Sequence, residues 1–336
     1  MLYTAIDIHK SVFQAASPDP ASSELTDARF PATREALHHW AMPLHGEVAA
    51  VAIEATTGWR WVWRELRALG FDVRLVDPGQ ARVLRGRTRK ARTDRLDARW
   101  LALLLAKEML PEAWLPPAEI QQLRDKTRLR KRLAEDRTRR AQRLHAFLTH
   151  EGWACKRGRL LTEEGRRWAA AIALSSSARA QVDILIRIIT LLEHELAPLE
   201  RELRAFARTD PRTQALQTIF GVGPILACHL LAELGEAKRF RRARQAVRAA
   251  TLDPVVEESG ETQRRGKLAK HGAPELRWAL VEAANQTALR PQSPDRALYE
   301  QAKARGGGQA ATLTVARKIA HRAYHRLREL EEQQAA

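Results

Sequence analysis

Cysteine is almost absent from this chain. Cys155 and Cys228 are the only two in 336 residues, and they stand far apart without metal-ligand spacing. That excludes a disulfide-stapled scaffold and a cysteine-rich metal site, and it fits a reducing cytoplasm. No apolar run reaches the ~18 residues that cross a bilayer, so no membrane association is expected. The N-terminus lacks the charged and then apolar regions of a secretory signal. Acids are in deficit, 40 against 57 Lys and Arg, for a net charge of +17. Such a surplus, spread over several separate clusters, implies an anionic partner, nucleic acid first. Aromatics make up only 6% of the residues, which favours contact with a phosphate backbone over base stacking. What is present is enough for two or three domains with a sizeable core: the hydrophobic fraction is 45%.

The first third of the chain reads as α/β. Leu2–His9, Val12–Ala16 and Leu25–Phe30 are closely spaced strand patterns, as in an antiparallel meander. Thr33–Leu44 carries Leu37, Trp40 and Leu44 at helical spacing behind a plausible N-cap, Thr33. Val48–Glu54 is almost wholly apolar, the pattern of a strand buried on both faces. A helix follows from about Trp59 to Leu69, closed by Gly70, and Phe71–Val76 is a further strand stopped by Asp77-Pro78. Strands alternating with helical crossovers predict a partly parallel sheet.

In such a sheet, ligands gather at the carboxyl ends of the strands. Asp7 and Glu54 both fall at predicted strand ends, where a carboxylate is costly to bury unless it meets a cation or hydrogen bonds. Downstream, K-A-R-T-D-R-L-D-A-R (Lys90–Arg99) sets Asp94 and Asp97 three residues apart on one helical face, where they repel unless a cation lies between them. Alone, that pair would read as a solvated polar helix face. With Asp7 and Glu54 it makes a four-carboxylate set, the requirement of two-metal phosphoryl transfer. Mg²⁺ takes such oxygen ligands, and the arginines nearby (Arg85, Arg87, Arg89, Arg92, Arg95, Arg99) suit a polyanionic substrate.

The segments A-I-D-I-H-K, I-E-A-T-T-G and R-T-D-R-L-D-A, with Val76, Pro78 and Gln80 between the last two, resemble the insertion sequence 110 family of transposases, colinearly over almost the whole chain. The resemblance implies a RuvC-like, ribonuclease H-type domain in which Asp7, Glu54, Asp94 and Asp97 hold Mg²⁺. It also implies a helical coiled-coil region used in self-association to a dimer or tetramer. Finally, it implies a structured guide RNA that pairs with donor and target DNA; the residues themselves express only a capacity for polyanions.

From about Pro117 the composition changes. Glu119–Leu148 reads as one long helix; between Arg124 and Arg143 it carries ten Lys or Arg and three acids. It serves either as a charged coiled-coil exterior or as a nucleic-acid contact through residues such as Arg128, Arg132 and Arg139. Val182, Leu185, Ile189, Leu192, Leu196, Leu199, Leu203 and Phe206 keep a 3-4 heptad rhythm, which predicts a coiled-coil seam with a kink or restart at Pro198. Its partner is the Glu119 helix or an equivalent helix of another subunit. Leu216–Gly235 reads as helix, G-V-G-P turn and helix, and resembles a helix-hairpin-helix element. There Gly221 and Gly223 permit the turn, and backbone N–H groups before Pro224 can hold a phosphate. Lys238–Arg248, with Arg241 and Arg242, carries six basic residues and no acid.

Thr251–Trp278 is polar and turn-rich, and Ser259 is followed by Arg264, Arg265, Lys267 and Lys270. On composition Ser259 is a loop serine. The family resemblance implies that it is the nucleophile of a C-terminal transposase domain, because it matches the S-G of that domain's loop. Glu261 and Ala273 depart from the family pattern at positions where glycine and asparagine are common. Helices from Leu276 to Asn285 and from Ala311 to Leu330 finish the chain, with Gly306, Gly307 and Gly308 as a flexible link before the last.

The expected organisation is α/β plus all-α: a RuvC-like catalytic domain (1–116), a coiled-coil region (117–208) and a helical C-terminal transposase domain (209–336). The expected function is a cytoplasmic, nucleoid-associated DNA recombinase. Two other classes stay open, a junction-resolving endonuclease that hydrolyses DNA with the four acids, and a non-catalytic nucleic-acid scaffold.

Overall fold

The computed structural model describes residues 2–18, 25–85, 93–156, 158–259, 262–268 and 272–335, with the backbone alone for the strands within 254–267. The chain divides into two compact units, one ending at Leu115 and one beginning at Pro116.

The first unit is a mixed five-stranded sheet with helices on both faces. Its elements are β1 (Leu2–Ile8), β2 (Val12–Pro18), β3 (Leu25–Pro31), α1 (Arg34–Ala41), β4 (Val48–Glu54), α2 (Trp59–Ala68), β5 (Val73–Val76), α3 (Pro78–Arg85) and α4 (Asp94–Ala106). The strand order is β3-β2-β1-β4-β5. β1, β2 and β3 pair antiparallel as the expected meander, whereas β1, β4 and β5 run parallel. The parallel half follows from the crossovers, since a helix must return the chain before the next strand can start at the same end. Thr33 caps α1 as expected, accepting a hydrogen bond from the Ala36 N–H at 3.2 Å.

Strand alternation separates two cores. Ile6, Ile8, Val51 and Ile53 face one side with Leu37 of α1 and Val62 and Leu66 of α2. Ala5, Ala50 and Ala52 face the other side, against Leu101, Ala102 and Leu105 of α4. The second core is lined by small residues, so α4 lies close to the sheet. Asp7 and Glu54 continue the alanine-bearing face, so both carboxylates point to the α4 side.

The second unit is helical apart from one hairpin. It contains α5 (Ala118–His150), α6 (Glu163–Ala171), α7 (Ser176–Thr209), α8 (Pro211–Gln217), α9 (Pro224–Leu234), α10 (Ala243–Ala249), β6 (Pro254–Ser259), β7 (Thr262–Leu268), α11 (Pro274–Leu289) and α12 (Arg296–Ala335). The heptad seam of α7 packs on α5 of the same chain. Val182, Leu185, Ile189, Leu196 and Leu203 are buried. Arg130–Glu200 at 2.5 Å and Arg137–Glu193 at 3.7 Å mark an antiparallel pairing.

Three expectations meet the structure in different ways. Of the kink or restart expected at Pro198, the restart is absent: α7 is one helix through Pro198. The polar stretch after Thr251 contains the β6–β7 hairpin, in which Ser259 pairs with Thr262. The glycine link before the last helix is present but short: α12 is two helices meeting at a kink at Gly307, where the backbone is non-helical (φ 78°, ψ 175°). No helix among the described residues is long and apolar enough to cross a membrane.

Candidate active site

β1 and β4 are adjacent parallel strands in register, Ala5 opposite Ala52 and Ile6 opposite Ile53. The next residue along each strand is therefore an acid, Asp7 beside Glu54. Thr93 caps α4 by accepting from the Leu96 N–H at 3.3 Å, so Asp94 and Asp97 occupy the first turn of that helix. Unpaired N–H groups and the helix dipole there favour negative charge. Asp97 precedes Leu101 by one turn, and Leu101 is packed against the sheet. The same face of α4 therefore brings its acids over the strand ends. A further clasp holds the helix there: Asp27 of β3 pairs with Arg95 at 2.5 Å and accepts from Arg99 Nε at 3.0 Å. Asp27 carries no motif signal, because its partners lie about seventy residues downstream. The hydrogen bonds from Arg99, reinforced by Arg95, hold its carboxyl below the ordinary range. Arg95 and Arg99 thus serve the fold.

The four sequence-selected acids converge in two linked groups. At one end, His9 Nε2 lies 3.1 Å from Asp7 Oδ2 and 3.2 Å from Asp94 Oδ1. Asp7 is buried, Asp94 is largely open to solvent, and one ligand atom from each of Asp7, His9 and Asp94 falls within 4.8 Å of the others. At the other end, Glu54 and Asp97 line one cavity with Arg82, Arg85 and Trp100. Arg85 forms a close ion pair with Asp97. The indole N–H of Trp100 is buried there with no hydrogen-bond partner among the described residues. A donor of that kind, in a cavity with two arginines, suits a phosphate oxygen.

The acids feel one another. Burial raises the Asp7 carboxyl above its ordinary value; His9 pulls it down and the Asp94 charge pushes it up. Burial also raises Glu54, the Asp7 charge adds to the rise, and Arg82, His9 and Arg85 oppose it. Desolvated carboxylates that repel one another are a cation site in electrostatic terms. The donor set, carboxylate oxygens with one imidazole, fits a divalent metal.

The basic residues divide. Arg128 forms a two-pronged ion pair at 2.8 and 3.0 Å with Glu233, which is buried on α9. Its charge ties α5 to α9, and Arg85 pairs with Asp97 while lining the cavity beside Arg82. Arg132, Arg139, Arg241 and Arg242 are exposed, with Arg139 also paired to Asp136 at 2.5 Å. Gly221 has φ +86°, and a Cβ there would lie 2.3 Å from the carbonyl oxygen of Ala283. Gly223 is open, and its side-chain-free backbone caps α9. Arg87, Arg89, Arg92, Lys270 and the side chains of Ser259, Arg264, Arg265 and Lys267 lie outside the described residues. Sequence reasoning passes over His9, although the signal existed: residues 7 and 9 share a face on extended backbone.

Two family models match. One, described as "Transposase IS116/IS110/IS902 family", covers residues 213–300, and the other, DEDD_Tnp_IS110, described as "Transposase", covers residues 4–151. A "Probable family 20 transposase" of Pseudomonas aeruginosa is 30% identical, over 70% of this chain and 70% of the relative. "Transposase for insertion sequence element IS1328" of Yersinia enterocolitica is 24% identical, over 70% and 69%. "Transposase for insertion sequence element IS1111A" of Coxiella burnetii is 24% identical, over 83% and 76%.

Proposed function

Because this chain belongs to the IS116/IS110/IS902 family of transposases, we propose that it cuts and rejoins DNA strands with a divalent metal, Mg²⁺ in the cell, at Asp7, Glu54, Asp94 and Asp97, and with Ser259 as nucleophile. Family membership itself makes it a protein of DNA transposition. One observation carries the finer reading: acids separated by up to ninety positions in sequence come together at the ends of β1 and β4 and the start of α4. The sheet order, with an antiparallel meander leading into parallel strands, supports a RuvC-like, ribonuclease H-type domain.

When bound, the metal polarises the scissile phosphate and offsets the charge that develops on it. Asp7 and Glu54 supply fixed oxygens from rigid strand ends, and Asp94 and Asp97 supply them from a helix start. Arg82 and the Trp100 N–H offer the substrate phosphate a cation and a hydrogen-bond donor. Ser259 Oγ attacks phosphorus; the bond from phosphorus to the outgoing strand oxygen breaks, and that oxygen ends with the proton. The serine–DNA ester is then opened by the hydroxyl of a second strand, which restores the serine. The G-V-G-P turn would meet a phosphate backbone as a helix-hairpin-helix does, and the α5–α7 hairpin would join subunits. The guide RNA rests on the resemblance to insertion sequence 110 transposases, with the +17 charge as a compatible feature. In such a system base pairing selects the site and the protein reads backbone and shape.

The test is strand exchange on supercoiled donor and target DNA with Mg²⁺ and the element's end transcript. Wild-type protein is expected to form a covalent protein–DNA adduct and joined products. Asp97→Asn should lower both by about 10²–10³-fold, the scale of losing one group that stabilises the transition-state charge. Ser259→Ala should lose the adduct and the joined product together. Retention of cutting by Ser259→Ala would instead make the chain a hydrolase.

A further inference from the structure

We propose that His9 is a nitrogen ligand to the divalent cation held at Asp7 and Asp94, and that it tilts this site toward Mn²⁺ over Mg²⁺. The inference rests on the metal-site reading above and adds a residue to it.

The first ground is the arrangement around one atom. His9 Nε2 stands 3.1 Å from Asp7 Oδ2 and 3.2 Å from Asp94 Oδ1. A ring nitrogen carries one proton at most, and it can donate that proton well to one acceptor. The contact with Asp7 is a hydrogen bond. A proton directed at Asp7 leaves Asp94 facing the same nitrogen without a good donor. A nitrogen without its proton faces two carboxylate oxygens with its own lone pair. A cation shared by all three atoms resolves both cases.

The second ground is spacing. Six-coordinate ligands at about 2.1–2.2 Å from a small divalent metal lie about 3.0 Å apart along each octahedral edge. The two His9–carboxylate separations are close to that edge, and the full triplet fits within 4.8 Å. Asp7 and His9 meet here because both lie on one side of the extended backbone leaving β1, and Asp94 meets them because Thr93 starts α4 over that strand end.

The third ground is the contrast between the two ends of the site. Asp97 already has a guanidinium, that of Arg85. Among the described residues the imidazole is the one basic side chain on Asp7 and Asp94, and it is half-exposed and open to an entering ion, as Asp94 is. The His9 end is therefore where a first cation enters. Imidazole suits transition metals, whereas Mg²⁺ favours oxygen and keeps its waters. A site of two carboxylates and one imidazole should therefore hold Mn²⁺ more tightly than Mg²⁺.

The experiment uses full-length protein free of DNA. Mn²⁺ is titrated in and followed by electron paramagnetic resonance, Mg²⁺ is measured by competition, and the Mn²⁺-loaded sample is examined by pulsed methods for coupling to ¹⁴N. Wild-type protein should give the coupling of a directly bound imidazole nitrogen, which ¹⁵N-histidine labelling converts to the ¹⁵N pattern. His9→Ala should abolish that coupling and weaken Mn²⁺ binding about tenfold or more while changing Mg²⁺ binding by less than about threefold. His9→Gln, which keeps a polar side chain of similar reach, should behave as His9→Ala does. A wild-type Mn²⁺ complex without nitrogen coupling, or variants that bind both metals as wild type does, overturns the role of His9 and leaves the four-acid site standing. Wild-type protein that binds neither metal overturns both readings.

Discussion

At Asp7 and Glu54 the fold holds carboxylates where burial, and then the charge of a neighbouring acid (Asp94 for Asp7, Asp7 for Glu54), raise their pKa values. They are unfavourable for folding and useful for binding a cation, a conflict expected at functional sites. His229 is another buried titratable side chain with no such use. It is fully buried on α9, its ring edge-on to Trp278 at 4.9 Å, and neither ring nitrogen has a hydrogen-bond partner among the described residues. Burial, with Arg130, Lys131 and Arg128 nearby, lowers its pKa from 6.5 to about 3. Below pH 6.5 the unfolded chain therefore takes up a proton that the folded chain refuses until about pH 3, so His229 destabilises the fold progressively as pH falls through that window. Thermal melts of wild type and His229→Phe should diverge on acidification. Relative to their difference at pH 7.5, the variant should gain about 2 kcal/mol by pH 5. Parallel melting curves would mean that the ring is solvated or partnered.

At the scale of elements, the helix-turn-helix around α9 contains two glycines with different duties. Gly221 needs its left-handed backbone, and the Ala283 carbonyl leaves no room for a Cβ. Gly221→Ala should lower stability by about 2–4 kcal/mol in denaturant unfolding, through strain and collision together. Gly223 has ordinary backbone (φ −84°) and nothing within 4 Å of an added Cβ. Gly223→Ala should cost at most about 1 kcal/mol, the difference between glycine and alanine at an N-cap. Any loss of DNA binding in that variant then reports on the N-terminus of α9, and unchanged binding would remove that turn from the interface. α7 teaches the complementary lesson. Its seam was legible from eight heptad positions, but the choice of α5 as partner was not, because a stripe of leucines fits any matching stripe. The charge pairs Arg130–Glu200 and Arg137–Glu193 accompany that choice, and they become pairs only once the two helices run antiparallel.

Over the whole molecule, the +17 charge divides between structure and surface. Arg95, Arg99 and Arg128 hold elements together, Arg85 faces an acid of the site, and Arg241 and Arg242 are exposed. Composition counts these arginines alike; only their neighbours tell them apart. DNA affinity should fall about 10³-fold or more between 50 and 200 mM salt if six or more phosphates are contacted. Arg241→Ala and Arg242→Ala should each lower the slope of log affinity against log salt by about one. An unchanged slope would exclude them from the phosphate contacts.

Local pattern alone determined the strands of the first unit, the Thr33 cap and the α7 seam, and it put Asp7 and Glu54 at strand ends and Asp94 and Asp97 on one helical face. Each of these depends on periodicity or on a side chain acting within a turn of its own position. Tertiary structure alone decided that Asp7 lies beside Glu54, that His9 reaches Asp94, that Arg85 covers Asp97 and that Asp27 clasps α4. Those contacts join residues brought together by strand register and helix packing, and their energies depend on burial and distance, which no stretch of sequence contains.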